Sequence, residues 1–205
     1  MKLFSKLHQT NASNQPIIIV SGMPRSGTSM MMRMLAEGGL PTLTDELRRP
    51  DDDNPNGYFE LEVVRQLKEG NFSWLNEANG KVVKVISALL EHLPEDHQYK
   101  IIFMERNPKE TLASQKKMLD HRGQISKLSD EEMEHQFHRH LAAMKPWLVR
   151  QPNMEVLYVN YNALVTEPQS ACERIAEFLD LPLNQSQMLA VPDTQLYRNR
   201  ISSEK

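Results

Sequence analysis

PIIIVSGMPRSGTSMMMRMLAEGG, residues 16–39, sets an apolar β-branched run, a glycine-bearing turn and a helical pattern end to end. Pro16–Val20 is the run, short and uncharged, which predicts a strand buried on both faces. From Thr28 to Glu37 the apolar Met30, Met31, Met32, Met34 and Leu35 stand among small and charged residues, and Gly38-Gly39 stops the helix they predict. The turn between them, Gly22 to Ser29 (GMPRSGTS), carries its glycines as G-x-x-x-x-G. Glycines at that spacing allow backbone angles that aim successive N–H groups inward, and the following helix adds the partial positive charge of its N-terminus. Ser26, Thr28 and Ser29 add hydroxyl donors, so the turn reads as a cradle for a phosphate-like anion. A Gly/Pro/Ser turn without a ligand is the plainer alternative, and the strand before and helix after it speak against that.

Outward from this unit, Leu40–Gly57 is rich in Pro, Asp, Asn and Arg and predicts a loop with at most a short strand near Thr42–Leu43. A helix is expected over Tyr58–Lys68, a strand over Lys81–Ile86, and a second strong strand over Tyr99–Glu105. Pro108 suits the first position of a helix running to about Asp120. Ser129 and Glu132 have capping-box spacing and open a long helix to about Val149, with Pro146 threatening a kink. Met154–Asn160 is a further strand, and Thr166, Pro168 and Gln169 start an amphipathic helix ending near Leu179. The tail from Val191 is polar and expected to be irregular. Alternating strands and helices predict an α/β, three-layer P-loop-type fold with a mainly parallel central sheet flanked by helices. Ligands of such sheets bind beyond the carboxyl ends of the strands, where these loops converge.

The 205 residues carry 25% charged and 40% hydrophobic side chains and a formal net charge of −3. That balance argues against a nucleic-acid partner, which would need a dense Lys/Arg surface. A single cysteine, Cys172, excludes an intrachain disulfide and a cysteine-rich metal cluster and suits a reducing compartment. No apolar run reaches membrane-span or signal-peptide length, so a soluble, cytoplasmic protein is expected. Residues 1–15 are polar enough for a flexible N-terminal arm, with a single domain over 16–205.

Thr28 stands where the P-loop of nucleoside triphosphatases has the lysine that reaches the β- and γ-phosphates. Arg25 supplies a cation earlier in the loop instead, so the cradle suits an anion bound without metal. PRSGTS after an apolar strand resembles the 5′-phosphosulfate loop of sulfotransferases that use 3′-phosphoadenosine 5′-phosphosulfate (PAPS). The resemblance extends to ERNPKETLAS, in which Arg106 lies eight positions before Ser114. The family holds the nucleotide's 3′-phosphate with an Arg and a Ser at this spacing, and an Arg fork with a helix hydroxyl is sound phosphate chemistry. LYVNYNALVTEP is similar to the family's strand and turn before a C-terminal helix, which implies Tyr161 near the adenine. LYRNR, residues 196–200, looks like the family's basic tail, which implies Arg198 as a further 3′-phosphate contact.

The resemblance therefore implies a PAPS-dependent sulfotransferase with adenosine 3′,5′-bisphosphate (PAP) as product and no metal. Its cofactor-binding set is Gly22, Pro24, Arg25, Ser26, Gly27, Thr28, Ser29, Arg106, Ser114, Tyr161 and Arg198. Arg25 matches the basic residue after the loop proline, and Lys84 in KVVKVIS matches the strand lysine brought to the sulfuryl group. Some members place a histidine two residues beyond that lysine, whereas this chain has Ile86 and then Ser87, with no histidine nearby in sequence. A carboxylate is expected as the base instead, from Asp45, Glu46 or Glu60. The acceptor is a hydroxyl or amine on a small molecule, carbohydrate, lipid or peptide. A P-loop small-molecule kinase and a non-catalytic adenosine-bisphosphate-binding module are the rival readings. Glu132, His135, His138 and His140 read as a solvated, mixed-charge helix surface, the methionines of residues 30–34 as core packing, and Cys172 as a buried apolar residue.

Overall fold

The computed structural model describes residues 15–45, 47–51, 54–55, 57–121, 123–124 and 128–193. β1 (Ile17–Gly22) is buried along its whole length and leads through the glycine turn into α1 (Thr28–Glu37). β2 (Val82–Lys84), β3 (Tyr99–Glu105), α2 (Pro108–His121), α3 (Asp130–Val149) and β4 (Met154–Asn160) follow. α4 (Tyr161–Thr166), α5 (Pro168–Leu179) and α6 (Gln185–Leu189) complete the regular elements. Three 3₁₀ segments, Glu62–Glu69, Leu75–Glu77 and Ser87–His92, fill the connections on either side of β2.

The sheet has the order β2-β1-β3-β4, and every pairing is parallel. Successive side chains of a strand point to opposite faces, and both faces are apolar here. Ile18, Val20, Ile102 and Met104 pack with α1, α4, α5 and α6, where Met31, Met32, Met34, Leu35 and Cys172 are buried. Ile17, Ile19, Ile101 and Phe103 pack on the other side with α3, through Met144 and Leu148, and with the 3₁₀ segments. Helices on two faces of a parallel sheet give the expected three layers. Burying a large apolar side chain is worth about 1.5–3 kcal/mol, so these two interfaces fix the plane from whose edge the loops project. No helix among the described residues is long and apolar enough to cross a membrane.

Several boundaries differ from expectation for visible reasons. The segment read as a helix from Tyr58 is extended until Leu61, because the Glu60 carbonyl accepts bonds from the Asp45 N–H and the Thr44 hydroxyl. Phe59 there has φ 52°, which a helix excludes. The strand near Thr42 is reduced to one bridge to Val82. Thr166 does not cap α5, since its hydroxyl bonds back to the Asn162 and Ala163 carbonyls and so closes α4. Pro168 nevertheless opens α5 as expected. The Ser129–Glu132 capping box is present, and α3 runs continuously through Pro146.

Candidate active site

The glycine turn closes at the carboxyl end of β1, where the Ser26 N–H bonds to the Met23 carbonyl. Gly22 and Gly27 have φ values of 146° and 101°, and Arg25 itself stands at φ 68°. A Cβ on Gly22 would fall 2.7 Å from the Met104 carbonyl oxygen, and one on Gly27 would collide with the Tyr161 ring. Only glycine allows the turn to lie this close to β3 and α4. Gly27 is also the N-cap of α1 and contributes no side-chain cap, so the first N–H groups of the helix are left for an anion. Ser26 is 2% exposed, and its hydroxyl has no hydrogen-bond partner among the described residues. A buried hydroxyl without a partner beside the uncapped N-terminus of α1 fits an anionic group.

Arg106 and Ser114 come from the end of β3 and from α2, and both reach the turn. Arg106 Nη1 donates to the Arg25 carbonyl at 3.3 Å, and Arg25 Nε donates to Ser114 Oγ at 3.1 Å. The Arg106 guanidinium lies 4.3 Å above the Tyr161 ring and donates through Nε to Glu110. Glu110 is 2% exposed and also accepts from Asn162 Nδ2, so the buried arginine charge is balanced and its direction fixed. Tyr161 is therefore a wedge between Gly27 and Arg106.

On the other side of the turn, Lys84 donates to Ser29 Oγ at 3.1 Å and to the Tyr58 carbonyl at 2.7 Å. Burial, aided by the charges of Arg48 and Arg25, lowers its pKa to about 8, while the Glu60 carboxylate 3.8 Å away resists the fall. Glu60 also accepts from Arg48 at 2.9 Å and Arg65 at 3.2 Å. Asp45 stands differently, with both carboxylate oxygens committed to the backbone N–H groups of Leu47 and Glu62. Glu46 and Arg198 lie outside the described residues.

A cavity of about 450 Å³ opens beside the turn at the ends of β3 and β4. Ser26, Arg106, Asn160 and Asn162 form a polar wall, and Met23 of the turn with Phe137 and Leu141 of α3 form an apolar one.

The sulfotransferase domain model matches residues 15–199, nearly the whole chain. The chain belongs to the sulfotransferase domain family. No curated protein matches it. Among solved structures, a mouse sulfotransferase complexed with PAP superposes with a TM-score of 0.59 at 19% identity, over 94% of this chain and 68% of that one. The sulfotransferase domain of the Synechococcus PCC 7002 olefin synthase gives 0.54 at 15% identity, over 100% of this chain and 94% of that one. A sulfotransferase from Alicyclobacillus acidocaldarius gives 0.51 at 15% identity, over 92% and 87%. At these identities the likeness is one of fold.

Within this sulfotransferase domain, several residues of the site were not singled out from sequence. Glu110 was detectable, since it lies four residues after Arg106 at the start of a helix. Asn162 and the Tyr58 carbonyl had no signal, because a backbone acceptor and a lone amide leave none. His140 was misread: it is half-buried, and its Nε2 lies 2.9 Å from Ser87 Oγ, so it is not part of a solvated helix face.

Proposed function

We propose that the domain, spanning residues 16–205 as one unit, transfers a sulfuryl group from PAPS to a hydroxyl or amine acceptor by in-line displacement without a metal. The observation that carries this reading is the joining of the two halves of the anion site. Arg106 bonds to the carbonyl of Arg25, and Arg25 to the hydroxyl of Ser114, at the mouth of an uncapped helix. A ligand with phosphates at its 3′ and 5′ positions fits that pair.

In this reading Gly22, Pro24, Ser26, Gly27, Thr28, Ser29 and the α1 N-terminus hold the 5′-phosphosulfate, and Arg106 with Ser114 holds the 3′-phosphate. Tyr161 sets the spacing between the two, and Arg198 adds a contact from the tail. Arg25 and Lys84 face the charge that develops on the leaving oxygen as the sulfur–oxygen bond breaks, which is where fixed cations lower the barrier most. A sulfuryl group carries less negative charge than a phosphoryl group, and two side-chain cations serve it. Of the two described carboxylates, Glu60 is the one paired with Lys84, and that ion pair holds Lys84 against Ser29. Asp45 ties its own stretch of chain to the start of the Glu62–Glu69 segment through its two backbone bonds.

Calorimetric titration with PAP, with adenosine 5′-phosphate, and with ATP–Mg²⁺ tests the reading. PAP is expected to bind at least about tenfold more tightly than the 5′-monophosphate, one charge-assisted contact being worth about 1.5–3 kcal/mol. Tight ATP–Mg²⁺ binding with none of PAP would overturn it.

A further inference from the structure

Arg48 belongs to the irregular chain between α1 and the Glu62–Glu69 segment, and its guanidinium is held in two ways. Its Cζ stands 3.3 Å from the centroid of the Tyr58 ring, and its Nη1 donates to Glu60 Oε1 at 2.9 Å. Tyr58 is 4% exposed and fixed at both ends. Its hydroxyl donates to Asp51 at 2.6 Å, and its carbonyl accepts from Lys84 and Ser29. The arginine is therefore a fork set in place with one arm in use. The other arm, Nη2, is buried and has no hydrogen-bond partner among the described residues. A buried charged donor left unpaired is more costly than a neutral one, and a ligand group is the usual reason to keep it.

Lys84 Nζ lies 3.8 Å from the same Glu60 oxygen that Arg48 holds, so the two cations share one carboxylate. Arg65 draws on that carboxylate as well, at 3.2 Å. The other described carboxylates of this stretch have their own tasks. Asp45 accepts from the N–H groups of Leu47 and Glu62, Asp51 from the Tyr58 hydroxyl, and Glu62 from Arg65. Positive charge is thus in excess around Lys84. Besides burial, which acts most strongly, the charges of Arg48 and Arg25 depress the Lys84 pKa against the pull of Glu60.

The donor already has its contacts. In the reading above its 5′ side takes the turn, the α1 N-terminus, Arg25 and Lys84, and its 3′-phosphate takes Arg106 and Ser114. Arg48 comes from none of those elements, yet it shares Glu60 with Lys84, the cation at the sulfuryl end. We propose that Arg48 recognises an oxyanion on the acceptor, a carboxylate or a sulfate ester, so that the acceptor is an anionic hydroxyl or amine compound. This rests on the sulfuryl-transfer reading. Nη2 supplies the free N–H groups, and the Tyr58 ring fixes the plane of the fork before the acceptor arrives, which lowers the ordering cost of binding.

The experiment titrates PAP-saturated protein with 4-hydroxyphenylacetate and with 4-hydroxyphenylacetamide, which match in shape and differ in charge. Wild type is expected to bind the carboxylate about tenfold more tightly, the worth of one charge-assisted hydrogen bond. In Arg48→Met, whose unbranched side chain still covers the Tyr58 ring, the preference is expected to vanish while PAP affinity stays within about twofold. Arg48→Lys keeps the charge without the fork and is expected to lose at least about threefold of the preference, so it reads the contact even where the methionine variant fails to fold. Arg65→Met removes a cation from the same carboxylate and is expected to leave the preference intact. Wild type with PAP bound that does not favour the carboxylate overturns the proposal, binding of neither probe included. So does a preference undiminished in the Arg48 variants, or one lost equally in Arg65→Met, which would make it an effect of bulk charge. In each of these cases the donor reading stands, whereas failure of wild type to bind PAP removes both.

Discussion

The two sides of the site are built by different means. On the Arg106 side every group but Arg25 of the turn comes from a strand end or a helix: the end of β3 gives Arg106, α2 gives Glu110 and Ser114, and α4 gives Tyr161 and Asn162. Arg106 and Glu110 are 7% and 2% exposed, and their pair sits over a packed ring. On the Lys84 side the partners besides Ser29 come from irregular chain at Tyr58 and Glu60, held by Thr44, Asp45 and the backbone at Glu60. Arg65, which completes the Glu60 cluster, is 61% exposed. A charge fixed by regular elements suits a ligand whose shape does not vary, whereas one fixed by loop contacts leaves the neighbouring wall free to differ between acceptors.

Three perturbations test that contrast. The largest effect is expected for Arg106→Ala, which strands the buried Glu110 carboxylate, and loss of one partner of a buried pair costs about 3–5 kcal/mol of stability. A urea or thermal melt reads this directly, and a change under about 1 kcal/mol would show that the pair is as solvated as the loop side.

Next comes Lys84. Its folded pKa of about 8 lies below the ordinary value of 10.5, so the cation is lost from the free protein as pH rises through about 8. PAPS affinity is expected to fall across pH 7.5–9.5 by about tenfold, the cost of one charge-assisted bond of about 1.5 kcal/mol. Lys84→Met should bind weakly but independently of pH in that window. An unchanged slope in the variant would move the titration to another group. The same shift makes stability rise with pH between about 8 and 10.5, since there the unfolded chain binds the extra proton.

The smallest effect is expected for Asp45→Ala, which releases two backbone N–H groups of an accessible segment at a cost of about 0.5–2 kcal/mol. PAP affinity should not move with it. A matching loss of PAP binding would mean that the two sides are one mechanical unit.

The legibility of the chain follows the same division. β1, α1, β3, α3 and β4 were readable because their periodicity is imposed by two apolar interfaces, and Arg106 with Ser114 because their eight-residue separation resembles the family's pattern. The 58–61 segment was not readable, since its extended backbone is set by Asp45 and Thr44, side chains from another part of the loop. His140 was lost for a related reason. On helix periodicity alone its partner Ser87 is invisible, being a buried serine at the start of a 3₁₀ turn across a sheet edge. Pairwise contacts made by side chains on irregular backbone leave no period to read.

Gly27 has no room for a Cβ because the Tyr161 ring already fills it, and Tyr161 directly follows β4, an edge strand of the sheet. The turn's backbone is thus completed by a residue 134 positions later, so sequence-local folding of β1 and α1 cannot finish it. Contacts of such separation form at the highest loop-closure cost. Anion binding is therefore expected to report the docking of β4: a chain stopped before Met154 would carry the whole GMPRSGTS turn and still lack the surface that gives it its shape.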